Sequence, residues 1–159
     1  MKIAQYLVGP VIVALLVGGV YVLYLDQTAA DDFCGRPLHQ ETLYRIHLKD
    51  GEVRQACCPR CALHFQQGRD DVVAVEVADF WTYELLDATQ AIYVEDSSVN
   101  LCSLDEPVRR HIEGMASTLA WDRCEPGLIA FRSREDAEDF RSEKGGVLKT
   151  YDQLLEETL

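Results

Sequence analysis

Hydrophobic and polar positions along this chain follow a two-residue period in some stretches and a helical period in others. These two periods predict its strands and its helices. Side chains alternate in character from Thr42 to Leu48, which predicts a strand. Lys49-Asp50-Gly51 supplies turn chemistry, so residues 52–57 are predicted to return as the second strand of a hairpin. Pro59 suits the first turn of a helix, and a helical period follows it as far as Gly68.

Strands followed by a helix are also predicted in the second half of the chain. The strands are predicted at residues 72–77, 91–94, 128–131 and 147–149. A capping-box sequence at Ser133 predicts a helix that ends at Gly145-Gly146, and a last helix is predicted from Tyr151. A short helix is also predicted over Pro107–Met115. This order of elements indicates an α+β fold.

An uncharged apolar run precedes this pattern. Ile3–Leu25 spans 23 residues, long enough to cross a bilayer as a helix and longer than the apolar core of a signal peptide. Lys2 precedes the run and aspartates follow it, so the positive-inside tendency predicts a cytoplasmic N-terminus. We therefore expect a single-pass transmembrane anchor at residues 1–25, a linker at 26–32, and a domain facing the periplasm or the cell exterior. Cleavage after Thr28-Ala29-Ala30 is the alternative.

The charge balance limits the classes of partner. The chain has 159 residues, with 15 Lys and Arg against 27 Asp and Glu, and a net charge of −12. An acidic domain argues against binding to nucleic acid. The sequence also shows no Ser/His/Asp arrangement at telling spacing, no phosphate-binding loop and no paired carboxylates, so we do not expect an enzyme.

Cysteine is the residue type that suggests chemistry. Three of the six cysteines stand together in Cys57-Cys58-Pro59-Arg60-Cys61. A Cys58-x-x-Cys61 pair at a helix start directs both sulfurs to one side, and the helix-end amides favour thiolates. With Cys34, which the hairpin would bring close, three thiolates suit Cu(I), whereas His64 or His39 as a fourth ligand would suit Zn(II).

The remaining cysteines admit other interpretations. Adjacent residues of a strand point to opposite faces, so Cys57 is expected in the core or as a partner of another cysteine rather than beside Cys58. Cys102 and Cys124 bracket residues 103–124, and a disulfide between them would stabilise the domain by about 3 kcal/mol. The alternative is Cys102 as a metal ligand. A redox dithiol and a set of structural disulfides both remain open for the whole cysteine set.

Three stretches of the chain resemble the NosL family, copper-binding accessory proteins of nitrous oxide reductase maturation, including membrane-anchored relatives with a Cys-x-x-Cys at the strand-to-helix junction. These stretches are Lys49–Val53, then Val75–Thr82 with Leu86–Ala88, Ala91–Val94 and Ser97–Val99, and finally Leu128–Phe140 with Gly145-Gly146. The resemblance implies two small ββαβ-type subdomains, which we place at residues 33–70 and 71–159. It also implies an extracytoplasmic location and monovalent copper as the ligand.

The chain departs from the family at its soft ligands. Typical members carry a Cys-Gly-Met element where this chain has Cys34-Gly35-Arg36, and a Gly-Pro-Met element where it has Asn100-Leu101-Cys102. The resemblance therefore places Cys102 where a methionine would stand. Residues 103–124 form an insertion that ordinary members lack. If copper is bound here, the Cys-x-x-Cys replaces the missing thioether.

The expected function is that of a membrane-tethered, extracytoplasmic Cu(I)-binding protein. It would act as a metallochaperone or maturation factor that passes copper to a recipient metalloprotein or a membrane maturation complex. The alternatives are a thiol–disulfide redox protein that uses Cys58 and Cys61, and a disulfide-stapled interaction domain without a site. The candidate metal ligands are Cys34, Cys57, Cys58, Cys61, His64 and Cys102.

Overall fold

The computed structural model describes residues 30–102, 109–112, 115–118 and 124–158. Within these ranges the strands are β1 (Tyr44–Leu48), β2 (Val53–Ala56), β3 (Val72–Ala78), β4 (Leu85–Asp87), β5 (Ile92–Glu95), β6 (Arg109–Ile112), β7 (Met115–Thr118), β8 (Leu128–Phe131) and β9 (Val147–Thr150). The helices are α1 (Pro59–Gln66), α2 (Arg134–Lys144) and α3 (Tyr151–Thr158). The mixed α+β class expected from the sequence is confirmed.

The first sheet has four antiparallel strands in the order β2-β1-β3-β4. Tyr44, Ile46 and Leu48 are buried while the residues between them are half-buried, as the alternation of side chains predicts. The predicted hairpin forms with Tyr44 opposite Ala56. This sheet brings the end of β2, where the cysteine-rich stretch begins, onto the protein core.

The expected boundary between subdomains at residues 70 and 71 falls inside this sheet. β3 lies after that boundary, yet it pairs with β1 along its length, with Tyr44 opposite Val77. β4 was not predicted as a strand, and it adds the fourth strand through Val77 and Leu86. The two larger sheets therefore separate between β4 and β5.

The second sheet has three antiparallel strands in the order β8-β5-β9 and is covered by α2. Ser133 is confirmed as the N-cap of α2, because its hydroxyl accepts a hydrogen bond of 3.1 Å from the Asp136 amide. Gly146 has a φ of +96°, and a Cβ there would lie 2.6 Å from the Glu95 carbonyl oxygen. Glycine at this position lets the chain pass close to β5 as it enters β9.

The predicted short helix over Pro107–Met115 is wrong. β6 and β7 instead form a two-stranded antiparallel hairpin in which Ile112 pairs with Met115. Two residues, Glu113 and Gly114, separate these strands in the sequence, and two-residue connections containing glycine are typical of hairpins. The apolar residues that suggested one helical face were too few to distinguish the two periods.

The expected membrane anchor at residues 1–25 lies outside the described residues, as does most of the linker at 26–32. Among the residues that are described, no helix has both the length and the apolar character needed to span a bilayer.

Helix α1 lies between the two larger sheets. It packs against β1 and β2 of the first sheet, against β8 of the second, and against α3. The buried Arg60 guanidinium forms an ion pair with the half-buried Glu95 and donates a 3.1 Å hydrogen bond to the Pro126 carbonyl. On the helix's other side, the Tyr151 hydroxyl donates a 2.7 Å hydrogen bond to Gln66. These contacts fix α1, which carries Cys61, relative to both sheets.

Candidate metal centre

The centre begins where β2 ends and α1 starts. β2 stops at Ala56, so Cys57 and Cys58 form a turn rather than a continuation of the strand. Cys58 is the N-cap residue, with extended backbone angles, and its thiol makes no capping hydrogen bond. Pro59 has no amide proton to leave unpaired at the first helical position. The local sequence therefore starts a helix without using the Cys58 sulfur for the cap.

Four sulfurs form the first ligand group: Cys34, Cys57, Cys61 and Cys124 lie within 4.8 Å of one another. The sulfurs of Cys34 and Cys57 are 3.6 Å apart, those of Cys61 and Cys124 are 3.4 Å apart, and those of Cys57 and Cys124 are 4.0 Å apart. The four come from the N-terminal turn, the end of β2, the first turn of α1 and the segment before β8. We call these sulfurs the four-sulfur group.

Three sulfurs form a second group, which we call the three-sulfur group: Cys57, Cys58 and Cys102 also lie within 4.8 Å of one another. The Cys102 thiol donates a hydrogen bond of 3.1 Å to the Cys57 carbonyl, and the Thr42 hydroxyl donates one of 2.7 Å to the same oxygen. The Arg36 guanidinium donates to the Cys102 carbonyl. Arg36 thus holds the backbone of one candidate ligand.

The buried carboxylate of Asp31 supports the cluster by bonding to the backbone of two of its cysteines. Asp31 is only 4% exposed, and its Oδ1 atom accepts hydrogen bonds from the amides of Phe33 (2.5 Å) and Cys34 (2.6 Å). Its Oδ2 atom accepts the amide of Cys57. One side chain therefore joins the N-terminal turn to the end of β2 and sets Cys34 beside Cys57. Partners of this kind orient ligands in metal sites generally.

The cluster is almost closed to solvent. Cys57, Cys58, Cys61, Cys102 and Cys124 are at most 3% exposed, and only Cys34 is half-buried. These thiols belong to a core of apolar side chains contributed by both larger sheets. The site therefore has a low-dielectric interior with one sulfur at its rim.

Hydrogen bonds among the thiols lower the pKa of some cysteines and raise the pKa of others. Hydrogen bonding with Cys102 lowers the pKa of Cys58, and it lowers the pKa of Cys124 to about 4. The pKa of Cys57 is raised, chiefly through its hydrogen bond with Cys102, and the pKa of Cys61 is raised through its hydrogen bond with Cys124. Buried thiols next to a thiolate resist further ionisation. A bound cation offsets the repulsion between several thiolates in this buried site.

Most of the predicted ligands come together. The cluster includes Cys34, Cys58, Cys61 and Cys102, and it also includes Cys57. The prediction that Cys57 does not share a site with Cys58 is wrong. It assumed that both residues belong to a strand, whereas β2 ends before Cys57. His64 is exposed on α1, and neither His64 nor His39 is in a ligand group among the described residues. Neither nitrogen ligand considered for Zn(II) therefore belongs to the two sulfur groups.

Cys124 is the member that the sequence did not identify as a ligand. It was expected in a disulfide with Cys102, but all six cysteines lie in the described part of the chain and none forms a disulfide. The two residues flank the insertion; Cys102 instead lies near the sulfurs of Cys57 and Cys58, and Cys124 near those of Cys34, Cys57 and Cys61. No local sequence pattern marks Cys124 as a ligand, because only the fold brings residue 124 close to residue 61.

Comparisons with known proteins place this fold. No family model matches the chain. It is 26% identical over 128 residues to the HTH-type transcriptional repressor CutR of Bacillus subtilis (strain 168), a match that covers 80% of this chain and 57% of the repressor. The crystal structure of the copper chaperone NosL from Shewanella denitrificans superposes with a TM-score of 0.58 at 20% identity, over 80% of this chain and 90% of NosL. The chain therefore has the NosL fold, and within that fold it gathers six cysteine sulfurs into one largely buried cluster.

Proposed function

We propose that this protein binds Cu(I) in its cysteine cluster and passes the ion to a recipient metalloprotein or to a membrane-bound maturation complex. The observation that carries the proposal is the convergence of all six cysteines, from four separate segments of the chain, on one site. The shared fold with a copper chaperone supports the same assignment.

The donor set favours a soft, thiophilic ion. Every member of the two ligand groups is a sulfur, and thiolates select Cu(I) and Zn(II) over Mg(II), Ca(II) or Mn(II). Burial makes an uncompensated thiolate expensive, and a bound cation offsets that cost while each coordinating thiol loses its proton. Cu(I) accepts two or three sulfurs, which fits both groups.

Zn(II) is the competing metal, and the four-sulfur group is the observation that favours it. Four thiolates in a tetrahedron are typical of structural zinc sites. The two metals differ in what they require, because Zn(II) needs the complete four-sulfur group whereas Cu(I) is held by any two or three of its members. Removal of one sulfur is thus expected to abolish tight Zn(II) binding and only to weaken Cu(I) binding.

Transfer to a partner requires an accessible ligand, and Cys34 meets this requirement. It is half-buried at the rim, while the other five sulfurs are inside. In the proposed exchange a recipient thiolate bonds to copper as the Cu–S bond to Cys34 breaks, and Cys34 recovers a proton. Copper stays monovalent throughout, so the step needs no oxidant or reductant.

The proposed location is the outer face of the cytoplasmic membrane. It is supported by the uncharged run Ile3–Leu25, with Lys2 before it and aspartates after it. Alkaline carbonate extraction should leave the full-length chain in the membrane fraction, and protease added outside intact spheroplasts should remove its folded domain. A chain released by carbonate, or protected until lysis, would contradict this location.

The metal proposal is tested by titrating reduced protein with Cu(I) against a competing chelator, and in parallel with Zn(II). We expect wild-type protein to withhold Cu(I) from the chelator, and the Cys34→Ser/Cys58→Ser/Cys61→Ser variant to lose at least a hundredfold in affinity. Equal affinities would overturn the proposal. A wild-type preference for Zn(II) over Cu(I) would reassign the metal.

The thiol–disulfide alternative receives less support from the site. Cys58 and Cys61 belong to different ligand groups and are 3% and 1% exposed, whereas exchange needs an accessible thiolate. The shortest sulfur distances instead join Cys34 to Cys57 and Cys61 to Cys124. Insulin reduction at a rate above that of free thiol would favour the alternative, and its absence is expected here.

A further inference from the structure

Cys57 is the one residue common to both ligand groups. The four-sulfur group and the three-sulfur group each lie within 4.8 Å internally, and each of them includes this sulfur. No single group among the described residues contains all six sulfurs. The cluster therefore has two centres that meet at Cys57.

Bond lengths limit what one ion can hold. A metal–thiolate bond is about 2.3 Å long, so two sulfurs on the same ion are at most about 4.6 Å apart and are closer in trigonal or tetrahedral geometry. The measured separations of 3.6 Å, 4.0 Å and 3.4 Å in the four-sulfur group fit such geometries. One ion cannot bond to all six sulfurs, whereas each group supplies the two or three sulfurs that one Cu(I) accepts.

We propose that the cluster holds two Cu(I) ions bridged by the Cys57 thiolate, an inference that rests on the proposed function and extends it. One ion is bound by members of the four-sulfur group and the other by members of the three-sulfur group. A bridging thiolate serves two cations at once, so fewer buried thiolates are needed for two ions than in two separate sites. This matters in an interior where each extra anion is costly.

Hydrogen bonds hold the backbone of Cys57 in place, as a residue that bridges two ions requires. Its amide donates to the Asp31 carboxylate, and its carbonyl accepts from the Thr42 hydroxyl and from the Cys102 thiol. The residue is 0% exposed. Both of its backbone polar groups are thus bonded within the protein, which fixes the sulfur between the two groups before any metal arrives.

The test combines metal counting with X-ray absorption on reduced protein. Two variants form a matched pair, since each removes every sulfur of one group except Cys57: Cys58→Ser/Cys102→Ser and Cys34→Ser/Cys61→Ser/Cys124→Ser. We expect native mass spectrometry to show two Cu(I) ions on wild-type protein and one on each of these variants. We also expect a copper–copper scattering path in wild-type protein that disappears in Cys57→Ser.

The outcomes separate this inference from the proposed function. Wild-type protein that saturates at one Cu(I) leaves the function standing and overturns the two-ion cluster. Two ions without a copper–copper path, or with a path that persists in Cys57→Ser, overturn the bridge. No copper on wild-type protein above that on a variant with all six cysteines replaced by serine overturns the function itself. Circular dichroism of each variant establishes that it is folded.

Discussion

At the residue scale, the position of the sulfurs depends on a side chain that is not itself a candidate ligand. Asp31 accepts the amides of Phe33, Cys34 and Cys57 while remaining almost fully buried. Its neighbour Asp32 accepts the Gln55 amide at 2.7 Å but is exposed. The two aspartates therefore offer a matched comparison of a buried and an exposed carboxylate that both bond to main-chain amides near the site.

Replacement of Asp31 by asparagine should loosen the site. An amide group in place of one carboxylate oxygen turns an N–H group toward a main-chain N–H and leaves a buried donor unpaired, which costs about 1–3 kcal/mol in the free energy of unfolding. Loss of an orienting partner should lower Cu(I) affinity by about ten- to a hundredfold. Urea unfolding of reduced, metal-free protein and chelator competition would measure these two quantities. Asp32→Asn is the control, and equal losses in both variants would show that burial of Asp31 is not the cause.

Cys34 should be the first thiol to react with an alkylating agent. It is half-buried, whereas the other five are at most 3% exposed, and iodoacetamide must reach the sulfur to react. Peptide mapping of reduced, metal-free protein after short exposure should find the label mainly on Cys34. Bound Cu(I) should protect it. Labelling that begins at Cys58 or Cys61 would place the open side of the cluster elsewhere.

At the element scale, the two larger sheets support different parts of the molecule. α2 packs its Ala137 and Phe140 on the second sheet, in a core with Ile129 and Phe131 that contains no cysteine. α1 instead packs within the core that includes all the buried thiols. Stability at α2 and metal binding at α1 should therefore respond to mutation separately.

The helix cap at Ser133 allows this separation to be tested. Ser133→Ala removes the acceptor for the Asp136 amide and should lower the free energy of unfolding by about 1 kcal/mol. Cu(I) affinity should not change, because α2 does not contact the cysteine cluster. Ser142→Ala on the exposed face of the same helix is the control, with a change of less than about 0.5 kcal/mol in unfolding. A fall in copper affinity with Ser133→Ala would show that the two cores are coupled.

The elements that the sequence predicted correctly have strong local signals. β1 has strict alternation and a glycine turn after it, α1 has Pro59 at its start, and α2 has Ser133 as its N-cap. β4 and the β6–β7 hairpin were missed because short segments offer too few positions to fix a period. The cluster itself was predicted in part. Cys57 lies in the core as expected, but its separation from Cys58 was wrongly inferred by carrying strand geometry one residue past the end of β2. Cys124 depends on a return of the chain that no local pattern encodes.

At the scale of the whole molecule, α1 holds the two sheets in the arrangement that assembles the cluster. Arg60, which is 6% exposed, pairs with Glu95 of β5 and bonds to the Pro126 carbonyl, two residues from Cys124. Cys61 follows Arg60 directly. The contact that fastens α1 to the second sheet is therefore adjacent to the sulfur pair formed by Cys61 and Cys124, which are 3.4 Å apart.

Arg60→Ala should weaken both folding and metal binding. Among the described residues, Lys149, 3.7 Å away, then remains as the ion-pair partner of the half-buried Glu95 carboxylate, and loss of the guanidinium should cost about 1–3 kcal/mol in the free energy of unfolding. Cu(I) affinity should fall as well, because the contacts of Arg60 with Glu95 and the Pro126 carbonyl no longer position the sulfurs of Cys61 and Cys124. Arg69→Ala, which removes an exposed ion pair with Asp71, is the control and should change neither quantity appreciably. If Arg60→Ala lowered stability alone, the ion pair would have no part in forming the site.

The most direct measurement is a count of copper and of reactive thiols on protein isolated directly from cells, without added metal or reductant. A Cu(I)-binding cluster of six cysteines predicts bound copper, and six thiols that become reactive only after the metal is removed and the protein is unfolded. Protein that carries no metal and yields thiols only after reduction of three disulfides would contradict the assignment. It would show the cysteines to be structural staples.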